Sequence, residues 1–545
     1  MAGPKPGVAV VESTQGTVRS GGIGVGDHSA AAAVGAERQR DERIPKRRRR
    51  TSSAPGFADL GRGKSCGMTT VRTRIPARLD RLPWARWHWM IVIGLGSVWI
   101  VDGFEVTVVG SIAAKLSEPD SGLAISSAQV SGAAAAMYVA GACSGALLFG
   151  RLTDRYGRKR LFIITLVVYL AATAMTAFSF SVWWFVLFRF LTGLGIGGEY
   201  AAINSAIDEL IPSKYRGRVD IVINGTYWLG ASGGALLSVV ALNPELFAPN
   251  IGWRAMFGIG VIFALLVLAV RRHVPESPRW MFIHGRDRQA EDLVDEVEEQ
   301  VRRETGADLP AVEETIEVRQ RRSTGFGEIA SVMIRKYPRR STLGLALFVG
   351  QAFLYNAVTF NFAVILGELF DVPSDRTGYF YAVMCLGSFF GPLVLGRYFD
   401  TIGRKPMIGG SYLGSGILLL LTAVLLVRGD LTAVTLTACW TVVLFVASCG
   451  ASSAYLTVSE IFPMETRAMA IAFFYAVGTA AGGIAGPLVF AELTGDGDAG
   501  RTALAFTIGA VMMMLGGVVE LFLGVRAEGR SLESIADPLS SRRTG

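Results

Sequence analysis

Twelve stretches of about 20 mostly apolar residues run along the chain, at roughly 89–112, 128–149, 161–180, 183–207, 219–242, 253–271, 342–366, 377–396, 407–427, 432–457, 467–492 and 502–525. A helix of that length crosses a hydrocarbon core of about 30 Å, and in lipid a helix satisfies its own backbone hydrogen bonds. The pattern therefore predicts an all-α membrane protein with twelve transmembrane helices. Six spans precede the long polar stretch 272–341 and six follow it. This divides the chain into an N-terminal six-helix bundle at 83–271, a cytoplasmic loop at 272–341, a C-terminal six-helix bundle at 342–525 and a cytoplasmic tail at 526–545. Inside the loop, "DRQAEDLVDEVEEQVRRE" sets Leu293, Val294, Val297 and Val301 on one side of a helix, so short amphipathic helices are expected there. Residues 1–82 hold no apolar run and are expected to be a disordered basic segment. Within it, "MTTVRTRIPARLDRLPWARWHW" reads as a short basic lead into the first span. Met68 is accordingly expected to be the true start, with 1–67 dispensable.

The polar segments repeat. "GRLTDRYGRKR" at 150–160 and "GRYFDTIGRKP" at 396–406 keep six residues in register, which sets Arg151, Asp154 and Arg158 against Arg397, Asp400 and Arg404. "ELIPSKYR" and "EIFPMETR" follow at nearly the same offset and set Glu209 and Arg216 against Glu460 and Arg467. Two motifs repeated in one order indicate duplication of a six-span unit, hence two pseudo-symmetric bundles. The arginines can form bidentate, charge-assisted bonds, Arg151 and Arg158 to Glu209, and Arg397 and Arg404 to Glu460. Together these residues make a candidate latch at the cytoplasmic ends. Each partly wet pair is worth about 1 kcal/mol or less, yet several can bias two states that lie a few kcal/mol apart. The competing reading is that the cations only set topology.

Composition agrees with a membrane class. The 545 residues are 51% hydrophobic and 18% charged, with a mean hydropathy of +0.41, which leaves too little charge for a soluble protein. The net charge of +8 is concentrated in the segments assigned to the inside, so the positive-inside rule puts both termini in the cytoplasm of a cell-membrane protein. A nucleic-acid partner is not needed to explain the basic balance. Five scattered cysteines and four separated histidines form no disulfide framework and no metal motif. "GRGKS" at 61–65 lacks the first glycine of a phosphate loop, and "GLGIGG" at 193–198 lies inside an apolar span, where it reads as a close helix contact. No enzyme chemistry and no cofactor are expected.

Polar residues inside the spans carry the remaining chemistry. Asp102 and Glu105 lie three residues apart and share a face of the first span. A charge at mid-membrane costs about 2.5–3.5 kcal/mol on insertion scales, so each needs a partner or a task. Asn204, Asn224, Tyr227, Gln351, Asn356, Asn361 and Tyr455 are amides and phenols in apolar surroundings, suited to hold hydroxyls or a carboxylate. Helix-to-helix hydrogen bonding is the other use such residues have.

Taken together, "GRLTDRYGRK", "RFLTGLGIGGE", "PESPRWM", "EIFPMETR" and "GRSLESI" resemble the major facilitator superfamily over 84–535, in particular its sugar porters and related metabolite:proton symporters. The resemblance implies two six-helix halves around a midplane site, alternating access, and a monomer whose partners are the lipid bilayer and a small-molecule substrate. "GQAFLYNAV" keeps Gln351 and Asn356 at the spacing of the sugar porters' paired glutamines but departs at Gly350 and Leu354, and Asn224 and Tyr455 stand where those proteins often have Gln and Trp. "VDGFEVTVVG" is similar to the Asp-Gly-x-Asp signature of aromatic acid:proton symporters, with Asp102 as the first acid and Glu105 as the second. Glu105 also matches the first-span acid of sugar porters, and Arg189 stands where they place its cation. What this implies is a proton switch, with Glu105 as carrier, Asp102 as modulator, Arg189 as partner and Glu199 as a further candidate. The implied function is a symporter of a sugar, a polyol or an organic (aromatic) acid, with the proton gradient as energy source. An uncoupled facilitator, a drug exporter and a non-transporting sensor are the alternatives on the same fold.

Overall fold

The computed structural model describes residues 70–116, 119–123, 125, 134–271, 275–312, 315–319, 331–373, 376–463, 467–494, 497–530 and 532–536. A short strand β1 (Thr70–Thr73) and helix α1 (Ile75–Asp80) lead into six long helices: α2 (Arg86–Leu116), α3 (Ala135–Tyr156), α4 (Arg158–Ala177), α5 (Val182–Leu210), α6 (Ser213–Ala241) and α7 (Pro249–Arg271). A polar connection follows with α8 (Pro278–Ile283), α9 (Asp287–Thr305) and β2 (Ile316–Arg319). The second set is α10 (Pro338–Phe370), α11 (Thr377–Leu395), the single turn α12 (Tyr398–Thr401), α13 (Arg404–Val427), α14 (Ala433–Ile461), α15 (Arg467–Thr494) and α16 (Ala499–Leu523), closed by α17 (Leu532–Ile535).

Twelve helices thus form two sets of six. Eleven of them are long and apolar enough to cross a membrane. The twelfth, α6, is 29 residues long but opens with Lys214, Arg216, Arg218 and Asp220 and packs between α2 and α11. Its face against those helices is buried, while Leu229, Leu236 and Val240 are exposed. Leu148, Trp183, Leu266 and Phe522 of other helices are likewise exposed apolar groups on outward faces. Such a surface suits lipid and would be a liability in water.

Local chemistry sets the helix ends. Ser181 accepts a hydrogen bond from the Trp184 amide at 3.3 Å, and Asp498 from the Arg501 amide at 2.6 Å, each capping the helix that follows. In the repeated loops Gly157 has φ 96° and Gly403 φ 115°, a conformation that L side chains rarely adopt. The glycine of each motif copy therefore lets one span stop and the next begin without a linker. Inside the N-terminal half, Gly193 and Gly197 of α5 approach the α3 backbone at Tyr138 and Ala142 so closely that no Cβ fits. This is the close helix contact expected of "GLGIGG".

Residues 70–82 are structured, where the apolar pattern indicates disorder. β1 pairs antiparallel with β2, Thr70 opposite Arg319. Arg78 of α1 bonds Glu291 at 2.7 Å, Asp295 at 2.5 Å and Glu298 at 2.8 Å on α9, and Arg81 bonds Glu298 at 2.6 Å. Burial pushes the Glu298 carboxyl up, but the two guanidiniums outweigh it and hold its pKa below the ordinary value. α9 turns Val294, Val297 and Val301 inward. What orders 70–82 is charge and strand pairing, which a search for apolar runs does not detect. The earlier part of the segment expected to be disordered, Met68 included, lies outside the described residues.

Candidate functional site

Four charged side chains are buried along α2 and α5. Asp102, Glu105 and Glu199 are fully buried and Arg189 is 1% exposed. Arg189 Nη2 donates to Glu105 Oε1 at 2.5 Å and to Thr192 Oγ1 at 3.1 Å, while Thr173 Oγ1 donates to the same Glu105 oxygen at 3.3 Å. The Arg189 guanidinium also lies 5.0 Å from the Phe257 ring centroid. A dry pair of this kind is stabilised only if both members stay, because a lone buried charge is costly. Asp102, one turn before Glu105, lies within electrostatic reach of Tyr138, Tyr200 and Tyr227. Glu199 stands apart from this group and accepts from Thr165 Oγ1 at 3.3 Å.

Beside these groups, a cavity opens between the two halves, with about 850 Å³ of empty space, its solvent-facing part included. Asn224, Tyr227, Gln351, Asn356 and Tyr455 line it. Asn204 does not reach it: its Oδ1 accepts from Asn224 Nδ2 at 3.0 Å and its Nδ2 donates to the Tyr200 carbonyl at 2.8 Å. Asn361 donates to the carbonyls of Ala357 at 2.9 Å and Pro487 at 3.4 Å, a helix-packing contact between α10 and α15. Six aromatic lining residues escaped the sequence reading: Trp99, Tyr138, Tyr200, Trp228, Tyr355 and Tyr475. Trp99 and Tyr200 stack with centroids 4.6 Å apart at 5°, and Trp228 tilts against Tyr355 at 5.0 Å. Tyr and Trp normally gather at membrane interfaces, so Trp99, Trp228 and Tyr355 halfway along their spans are the signal that the sequence offers.

At the end of the bundles that carries the repeated loops, the motifs meet. Arg404 holds Glu460 with two bonds of 3.0 Å and Asp400 with one of 2.7 Å. Asp400 in turn accepts from the Arg218 amide of the other half at 2.8 Å. Arg397 is exposed and donates to the Tyr398 hydroxyl at 2.7 Å, because its side chain leaves the loop on the solvent side, away from Glu460. In the N-terminal half Glu209 is buried and accepts from the Ser277 hydroxyl, and Arg216 reaches Asp80 at 3.4 Å. Arg151 is exposed, and the side chains of Asp154 and Arg158 lie outside the described residues. Two further carboxylates join symmetrically: Glu276 accepts from the Lys159 amide at 3.1 Å and Glu528 from the Arg404 amide at 3.4 Å.

A family model described as "Sugar (and other) transporter" matches residues 89–538. The chain belongs to that family. It is a multi-pass membrane transporter of the major facilitator type, and not an enzyme. Among curated members, the niacin transporter NiaP of Acinetobacter baylyi is 28% identical, covering 84% of this chain and 99% of that one. The 4-hydroxybenzoate transporter PcaK of the same organism is 26% identical over 78% of this chain and 90% of that one. A putative metabolite transport protein of Escherichia coli, YdjK, is 28% identical over 84% and 96%. Among solved structures, the proton:xylose symporter XylE bound to 6-bromo-6-deoxy-D-glucose superimposes with a TM-score of 0.67 at 19% identity, covering 83% of this chain and 98% of that one. That likeness shows the fold.

Proposed function

We propose that this family member is a proton-coupled symporter that carries a small polar metabolite across the plasma membrane by alternating access, with both termini in the cytoplasm. The observation that carries the reading is the Glu105–Arg189 pair, sealed from water beside a cavity that spans both halves. Protonation of Glu105 releases Arg189 and deprotonation restores the pair, so a proton can change how α2 and α5 are held together. Asp102 modulates that exchange through the tyrosines between it and the cavity. The cavity supplies stacking faces and neutral amides, a combination that holds a ring by its faces and its polar substituents by Gln351, Asn356 and Asn224. Sugars, polyols and aromatic acids all fall within this range, and the stacked lining favours the ring-bearing acids, in keeping with the niacin and 4-hydroxybenzoate carried by two relatives. Purified protein in vesicles with an imposed pH gradient, offered labelled sugars, polyols and aromatic acids in turn, tests this. Gradient-driven accumulation of one class is expected, lost in Glu105→Gln while exchange of preloaded substrate survives. Undiminished accumulation in Glu105→Gln removes the pair from the coupling mechanism.

A further inference from the structure

The cytoplasmic closure contains a carboxylate that the repeated motifs lack. Asp208 precedes Glu209 at the end of α5, whereas Ser459 precedes Glu460 at the matching place in α14. The two copies differ at this step, where only the first carries a charge. Asp208 is fully buried and lies between two guanidiniums that are each 1% exposed: Arg216 Nε of its own half at 4.0 Å and Arg467 Nε of the other half at 3.9 Å. At those separations it hydrogen-bonds neither and serves both as a shared counter-ion. Arg216 also reaches Asp80, and Arg467 Nε donates to the Ser459 carbonyl at 2.6 Å. Glu460 and Asp220 are nearby like charges.

We propose that Asp208 is a gating residue, whose pairing with Arg467 holds the cytoplasmic ends of the two halves together and must break for the cavity to open inward. Another tie at this end, from the Arg218 amide to Asp400, sits at the exposed margin where water competes. The Asp208 contact is dry and so is far less screened. It is also connected to the cavity. Asn204 lies one turn before Asp208 on α5 and accepts from Asn224, a lining residue, so a ligand that moves Asn224 pulls on the turn that carries Asp208.

The proposal rests on the alternating-access reading, and labelling without substrate tests it separately. In a background with the five native cysteines replaced, a cysteine in place of the lining residue Ser452 reports access to the cavity from the cytoplasmic side of inside-out vesicles. Asp208→Asn is expected to raise its labelling rate about tenfold, equivalent to about 1.4 kcal/mol. Asp208→Glu should stay near the native rate, Asp208→Asn with Arg467→Gln should match the single change, and the exchange Asp208→Arg with Arg467→Asp should move back toward native. A rate for Asp208→Asn within twofold of native, or an additive double substitution, overturns the proposal. If Asp208→Asn does not reach the membrane, Arg467→Gln decides, and a native rate there overturns it equally. Absence of gradient-driven uptake by the native chain would sink the symport reading and leave the labelling result standing.

Discussion

In the N-terminal half, α2 and α5 bury Asp102, Glu105, Arg189 and Glu199, whereas the matching helices α10 and α14 bury Gln351, Asn361 and Tyr455 and, among the described residues, no charge but Glu460 at the cytoplasmic end. The loops at that end differ far less. Gly157 and Gly403 share a positive φ, and each loop has an amide bonded to a carboxylate, Lys159 to Glu276 two residues after Gly157 and Arg404 to Glu528 one residue after Gly403. The contrast follows from what each region has to do. A closure made by two halves meeting needs similar parts on both sides, while a centre that handles a proton and a ligand needs them in different places. Duplication supplies the first arrangement directly, and divergence at a few positions supplies the second.

Four measurements break or sharpen this comparison. The largest effect is expected for Arg189→Met, which leaves Glu105 buried without its cation and should cost about 3–5 kcal/mol, seen as a drop in Tm. Adding Glu105→Leu should restore most of that loss, and an equally unstable double variant would mean that the pair does not govern this core. At the closure, Arg404→Ala strips Glu460 and Asp400 of their donor and should cost about 1.5–3 kcal/mol. The other arginine of the same loop, Arg397, is exposed, and Arg397→Ala should stay within about 0.5 kcal/mol. Equal effects there would show that the two loop arginines share the load.

In the centre of the C-terminal half the effect is on binding. Gln351→Ala and Asn356→Ala should each raise KM about tenfold, close to the value of one hydrogen bond to ligand. Asn361→Ala, which faces α15, should change KM less than twofold; a reversal of that order would relocate the ligand. The smallest effect concerns the lead into the first span, where α1 is tied to α9. The Glu298 pKa is held below its ordinary value, so this tie contributes stability at neutral pH and loses it as pH falls through the lowered pKa. Hydrogen exchange in 70–80 should rise over that window by an amount worth about 1 kcal/mol or less, and Glu298→Gln should show the rise already at pH 7.

The apolar pattern located the long helices because the requirement behind it is local. Each span must match the bilayer and pair its own backbone groups, and neither condition depends on the neighbours. α6, expected at 219–242, begins six residues earlier, because its opening turns carry Lys214, Arg216 and Arg218, and Arg216 finds its partner Asp80 far away in the chain. Among the candidate site residues, the amides were legible as polar groups in apolar runs. Their separation into lining residues such as Asn224 and packing residues such as Asn361 was not, because one helix turn decides which way each side chain faces.

By itself, then, the sequence determined the twelve spans, their duplication and the positions where charge enters the membrane, all of which follow from composition within a single segment. The tertiary structure alone decided that Tyr138, Tyr200 and Tyr475 join Trp99 around one cavity, that Arg404 rather than Arg397 holds Glu460, and that Asp208 stands between guanidiniums of opposite halves. Those outcomes depend on the rotation of each helix about its axis and on how closely its glycines let a neighbour approach. Rotation and approach are properties of pairs of segments far apart in the chain, and no single segment encodes them.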